Sequence, residues 1–148
     1  MDEIQQEIRK IMVSINRIDG IYYQWAKRIG LKDNMLALLY ALSDGNLHSQ
    51  KQISEEWLIP KTTINTVIQE CIQKDYVVLQ QEPHSKEKRI CLTEAGKQYA
   101  EVVLKDLRQA ELQAYMQTRK AHSEAFAAVF EEFAFQLQKA YEDFERKI

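Results

Sequence analysis

A mainly helical protein with one small antiparallel ribbon is what the 148-residue sequence predicts, and three observations predict it. Apolar residues recur at helical spacing towards both ends of the chain. Strand-like composition occurs once, between positions 76 and 93, and helix stop and start signals crowd a short stretch before it.

Composition bounds the function before any motif does. At 45% hydrophobic and 28% charged residues, the chain has the balance of one globular domain and no bias toward disorder. No apolar run approaches the ~18 residues of a membrane span, and the opening MDEIQQEIRK is polar and acidic, unlike a secretory signal. A cytoplasmic protein with no membrane partner is expected. A net charge of -2 and a pI near 6.0 give no overall basic signature, so any nucleic-acid reading rests on where individual charges fall. Catalysis finds no support: with 4 glycines there is no phosphate-cradling loop, and no nucleophile elbow or acid/base couple can be assembled. His48, His84 and His122 fall in separate elements, so no metal site and no cofactor are expected. Cys71 and Cys91 lie within apolar patterns, where cysteine acts as a small core hydrophobe.

The elements follow in order. Ile4, Ile8, Ile11, Ile15, Ile18, Tyr22, Trp25 and Ile29 step by three and four, predicting one long first helix with a continuous apolar stripe and Gly20 as its weak spot. Asp33 offers a cap for a second helix built on Met35, Leu36, Leu38, Leu39 and Leu42, which stops at Asp44-Gly45. Ser49-x-x-Gln52 has the form of a capping box, so a short helix runs from Gln50 to about Trp57. Pro60 opens the next helix, because the first helical turn has no use for the N–H that proline lacks. Tyr76–Glu82 and Lys88–Thr93, rich in β-branched and aromatic residues, bracket the turn-prone Pro83-His84-Ser85-Lys86-Glu87 and form a two-stranded ribbon. From Thr93, a capping residue, the chain is helical to its end. There Phe126, Phe130, Phe133, Leu137, Ala140 and Phe144 alternate steps of four and three, the seam of a helix packed on another helix.

The helix from Pro60 to Lys74 carries the functional signal. On a helical wheel, Ile64, Val67, Ile68 and Cys71 gather on one side, and Thr62, Asn65, Thr66, Gln69 and Gln73 on the other. Lys61 stands at the N-terminal end, and no carboxylate occurs between Trp57 and Glu70. A solvated face usually mixes Glu and Lys, because such pairs stabilise the helix and keep it soluble. An acid-free face of Thr, Asn and Gln suits a polyanion: phosphate is not repelled, and the amides can exchange hydrogen bonds with base edges in the major groove. Such a stripe alone also fits an uncharged polar surface helix. The order helix, short helix, three-residue break, helix, ribbon is that of a winged helix-turn-helix, and it favours the nucleic-acid reading. The ribbon is the wing, with Lys86, Lys88 and Arg89 set against Glu82 and Glu87.

Two stretches resemble the MarR family of bacterial transcriptional regulators: Ile59-Pro60-Lys61-Thr62-Thr63-Ile64-Asn65, similar to the start of that family's recognition helix, and Ile90-Cys91-Leu92-Thr93-Glu94-Ala95-Gly96, similar to its wing strand running into L-T-x-x-G. The resemblance covers nearly the whole chain. It implies a homodimer held by N- and C-terminal helices (residues 1–31 and 97–148) around a DNA-binding winged helix (32–96), seated on a near-palindromic operator and often a repressor released by a ligand or by oxidation. On this basis Lys61, Thr62, Thr63, Asn65, Thr66, Gln69, Lys86, Lys88 and Arg89 are the expected contacts to double-stranded DNA. Ile8, Ile11, Ile15, Phe126, Phe130, Phe133, Leu137 and Phe144 are the expected dimer contacts. Tyr22, Tyr23, Trp25 and Tyr40 are candidates to line a site for a small aromatic effector, although aromatics at helical spacing also serve simply as core. The chain departs from the family's usual pattern in the wing, after the recognition helix and in the first helix. Where relatives have Asp-x-Arg in the wing, this chain has His84 and Lys86, and lysine lacks the guanidinium fork that reads a minor groove. Asp75 stands where relatives often have Gly, and the first helix has no cysteine of the oxidant-sensing kind. A winged-helix module that binds protein instead of specific DNA is the competing expectation.

Overall fold

The computed structural model describes residues Asp2–Ile148. The chain divides into two compact units, one ending at Lys105 and one running from Asp106 to Ile148. In the first, α1 (Glu3–Arg28) starts at a capping box between Asp2 and Gln5 and runs through Gly20 without interruption. Its apolar stripe is mostly uncovered within the chain: Ile4, Ile8, Ile11, Ile18 and Ile29 are exposed, and Ile15 is half-buried. Next comes α2 (Asp33–Leu42), whose Met35, Leu36, Leu38, Leu39 and Leu42 are buried. Lys32, not Asp33, occupies the cap position; Asp33 lies inside the first turn, where its negative charge meets the positive end of the helix dipole.

The short strand β1 (His48–Ser49) leads into α3 (Gln50–Trp57). The predicted capping box is present: Gln52 N–H donates to Ser49 Oγ, and Ser49 N–H donates to Gln52 Oε1, both at 3.0 Å. The helix ends at Leu58, which takes a left-handed conformation (φ 49) and turns the chain into α4 (Lys61–Gln73). After α4 come β2 (Val77–Gln81) and β3 (Lys88–Leu92), then α5 (Glu94–Ala121) and α6 (Phe126–Arg146).

Two expectations need correction. The sheet has three strands, not two, in the order β1-β3-β2, all antiparallel; His48 pairs with Ile90 and Ser49 with Arg89. A two-residue strand is too short for any alternation to mark it in sequence. The C-terminal helical stretch is also interrupted. Between Ala121 and Phe126 the chain leaves the helix, and Ser123 Oγ accepts from Ala125 N–H, a local bond that competes with the helical ladder without any proline or glycine.

The core of the first unit is the back of α4 (Ile64, Ile68, Cys71) with Leu38 and Leu39 of α2, Ile53 of α3, Ile90 of β3 and Leu104 of α5, all at or below 1% exposure. One joint fastens α4 to the wing and α5. Asp75 takes the left-handed conformation (φ 61), and its carbonyl accepts the Thr93 hydroxyl. Thr93 Oγ1 also caps α5 by accepting from Gly96 N–H at 2.9 Å, while Thr93 N–H donates to the Tyr76 carbonyl at 3.0 Å. That carbonyl lies so close to Gly96 that a Cβ there would meet it at 1.9 Å, which is why the L-T-x-x-G pattern ends in glycine.

In the second unit, α6 carries its predicted seam on a surface largely open to solvent. Phe130, Leu137 and Phe144 are 42%, 54% and 62% exposed, and Phe133 is half-buried. Phe126 meets Phe130 edge-on and tilts against Tyr115 of α5.

Candidate nucleic-acid interface

Burial of Ile64, Val67, Ile68 and Cys71 fixes which side of α4 faces out. Lys61, Thr62, Asn65, Thr66, Gln69 and Gln73 are exposed together, with Thr63 half-buried at the edge of the stripe. The N-terminal cap, Pro60, supplies no side-chain hydrogen bond, so the first-turn amides stay available. Among the described residues, the Asn65 and Gln69 side chains have no intramolecular hydrogen-bond partner, and one helical turn separates them. Thr66 differs: its hydroxyl donates to the Thr62 carbonyl at 3.1 Å, leaving the oxygen outward as an acceptor. Glu70, the first carboxylate after Trp57, is half-buried and paired with Lys32 at 3.5 Å. The outward face therefore carries amides, hydroxyls and one lysine.

The wing tip is ordered by its own turn. Ser85 N–H donates to the Glu82 carbonyl, Gln81 Nε2 donates to the Ser85 carbonyl, and His84 sits between them in the left-handed conformation (φ 72). Lys86 and Lys88 are exposed and unpaired among the described residues. Arg89 is placed differently. Its Nε donates to Glu82 Oε1 at 3.1 Å and its Nη1 to Gln52 Oε1 at 3.2 Å, so it ties the wing to the start of α3. Sequence reasoning missed this tie, because it depends on the register that sets Arg89 opposite Ser49.

The aromatic candidates divide. Tyr22, Tyr23 and Tyr40 line a cavity of about 710 Å³ beside α1 and α2, whereas Trp25 does not. Trp57, at the end of α3, joins the lining instead, with Tyr40 between Tyr22 (centroids 6.5 Å apart) and Trp57 (5.6 Å). Nothing at Trp57 in the sequence marks it out from an ordinary helix-end aromatic. Cys71 is fully buried, its Sγ 3.3 Å from Met35 Sδ, and burial pushes its thiol up to about 11; Cys91 is half-buried. Among the described residues no group of His, Cys, Asp and Glu is placed to hold a metal ion, and no helix is long and apolar enough to cross a membrane.

A buried-back, polar-front second helix beside a three-stranded wing defines a winged helix-turn-helix protein. The family it resembles is MarR: residues 29–86 match the MarR family model, and the chain carries the fold of that family's regulators. A MarR family regulator from Neisseria meningitidis is 22% identical, with 97% of this chain and 99% of that one covered at a TM-score of 0.77. A MarR family regulator from Listeria monocytogenes, solved with a 26mer DNA, is 19% identical with 97% and 91% covered (TM-score 0.67). NadR, solved with 4-hydroxyphenylacetate, is 8% identical with 86% and 89% covered (TM-score 0.69). No curated protein sequence matches the chain.

Proposed function

We propose that the protein is a cytoplasmic, non-enzymatic transcriptional regulator that binds a pseudo-palindromic DNA operator as a homodimer and acts as a repressor modulated by a small aromatic ligand. The observation that carries this reading is the exposed, acid-free face of α4, where Asn65 and Gln69 hold amides unspent inside the chain. Residues 32–96 present that face to the major groove, with Lys61, Thr62, Thr63, Asn65, Thr66 and Gln69 against the duplex and Lys86 and Lys88 on the backbone. Arg89 acts there through its hold on Gln52. Residues 1–31 and 97–148 meet a second copy, which accounts for apolar faces on α1 and α6 left open in the single chain. The DNA-bound Listeria relative and ligand-bound NadR supply the precedents for both partners. A ligand in the aromatic cavity would touch Trp57 and Ile59, the residues that lead into α4, which supplies a route from occupancy to DNA release.

In a symmetric dimer the two α4 helices enter successive major grooves about 34–36 Å apart. Selection of duplexes from a random pool at stated salt tests the reading: a palindromic consensus is expected, and absence of enrichment at low salt would favour a protein-binding module. On the selected site, Asn65→Ala lowers discrimination at one base position by ~1–3 kcal/mol, while Lys86→Ala weakens all duplexes alike and flattens the salt slope by about one unit. Equal losses on every duplex for Asn65→Ala would remove its base-reading role.

A further inference from the structure

The walls of the aromatic cavity specify the charge of what enters it. We propose that its ligand is an aromatic organic cation, an amine or quaternary ammonium, rather than a phenolic acid; this rests on the ligand-modulated reading above and deepens it. Two carboxylates, Asp19 of α1 and Asp33 of α2, line the cavity together with Tyr22, Tyr23, Tyr40 and Trp57. No lysine, arginine or histidine is among the lining residues. Neither carboxylate is engaged in an ion pair among the described residues, whereas Lys32, the residue before Asp33, is turned to Glu70 at 3.5 Å.

A carboxylate ligand would enter against two like charges with no cation in the walls to hold it, and like charges brought together without a counter-ion repel. The N-terminus of α2, whose dipole would draw an anion, already carries the Asp33 side chain in its first turn. A cation meets the opposite situation. Tyr40 meets both Tyr22 and Trp57 edge-on, with ring planes at 86° and 64°, so neither contact is a face-to-face stack. Ring faces attract an ammonium through their quadrupole, and Trp offers the strongest such face. The volume of about 710 Å³ lies in the range of sites for drug-sized molecules.

Tyramine and 4-hydroxyphenylacetate test the charge, since each carries a phenol ring on a short flexible arm that ends in an ammonium in one and a carboxylate in the other. Calorimetric titration of the full-length protein without DNA should show tyramine binding at least about tenfold tighter at neutral pH. Asp19→Asn and Asp33→Asn should each weaken tyramine by about threefold or more while leaving 4-hydroxyphenylacetate no weaker. Equal affinities, or preference for the carboxylate, overturn the cation assignment and leave the ligand-modulated regulator standing. Binding of neither probe, in a protein that still binds its selected duplex, overturns the assignment and spares DNA recognition. Loss of duplex binding in the unliganded protein would instead sink the regulator reading.

Discussion

Replacing Gly96 by alanine is a sharp test of the joint that holds α4, the wing and α5 together. The new Cβ would lie 1.9 Å from the Tyr76 carbonyl oxygen, 2.8 Å from its carbon and 3.0 Å from Tyr76 Cα. These are backbone atoms, so relief requires moving the chain by more than an ångström, not turning a side chain. Movement of Tyr76 strains its carbonyl's bond from Thr93 N–H (3.0 Å) and the stack of its ring on Tyr99, whose centroids lie 4.3 Å apart with planes 7° from parallel. Overpacking of this kind costs about 1–3 kcal/mol and a weakened hydrogen bond about 1 more. Alanine's better helix propensity offsets about 1 kcal/mol. A net loss of about 1–3 kcal/mol is expected, read as a lower midpoint in urea unfolding at fixed protein concentration. Gly20→Ala is the matched control: it too lies inside a helix, but nothing stands within 4 Å of its Cβ, so it should raise stability by about 0.5–1 kcal/mol. A Gly96→Ala midpoint equal to or above the unsubstituted protein's would refute the close-approach argument.

Further outcomes follow from the same geometry. Phe133→Glu places a charge in the α6 seam and should raise the dissociation constant of the proposed dimer by about a hundredfold or more, or leave an insoluble chain; unchanged sedimentation of a soluble variant would remove the seam from the proposed interface. Hydrogen bonds from His48, at 2.8 Å, and from Asn46 N–H, at 2.9 Å, hold the Asp44 carboxyl at about 2, below its usual 3.8. Because the folded value is the lower one, this stability is present above pH 3.8 and lost as pH falls through about 2. Asp44→Asn should cost about 1 kcal/mol or less near neutrality, the side chain being 46% exposed, with the difference shrinking below pH 3.8 and gone only once pH is below about 2; a constant difference across that window would contradict the assignment. A thiol reagent at pH 8 should modify Cys91 well before Cys71, whose thiol is pushed up to about 11 by burial, and two equally fast thiols would contradict that.

The parts of this fold legible in sequence are those whose cause is local. Ser49 and Gln52 cap α3 through bonds that span three residues, and the back of α4 follows from spacing along one helix, so both could be read from neighbours alone. The polar front was legible for the same reason, since fixing the buried side of a helix fixes the opposite one. What stayed hidden needs partners distant in the chain or has no compositional mark. Strand β1 exists because His48 and Ser49 lie beside Ile90 and Arg89. Trp57 reaches the cavity because α3 brings it to Tyr40, 17 positions earlier, and the break before α6 is made by a serine in a run without proline or glycine. Asp75 was visible as a departure from the family, but its reason is conformational: Asp is one of the few residues other than glycine that tolerate a left-handed backbone.

Long-range ties also hold the two ends of the 13-residue helix α4, on which the proposed groove reading depends. At its C-terminal end, Asp75, Tyr76, Thr93 and Gly96 form one hydrogen-bonded joint that fixes where α4 stops relative to β2 and α5. At its N-terminal end the ties all run to one residue: Ser54 Oγ donates to the Ile59 carbonyl and the Leu58 and Ile59 N–H groups donate to the Ser54 carbonyl, while the turn itself passes through Leu58, an 86% exposed leucine in a left-handed conformation. Leucine has no side-chain group to stabilise that conformation, which costs roughly 1–2 kcal/mol relative to a right-handed one. The two ends of α4 are therefore unequal. The rigid end abuts the wing, and the strained end abuts Trp57 and Ile59 in the cavity wall, so a ligand that shifts Trp57 acts on the end of α4 that is least expensive to move.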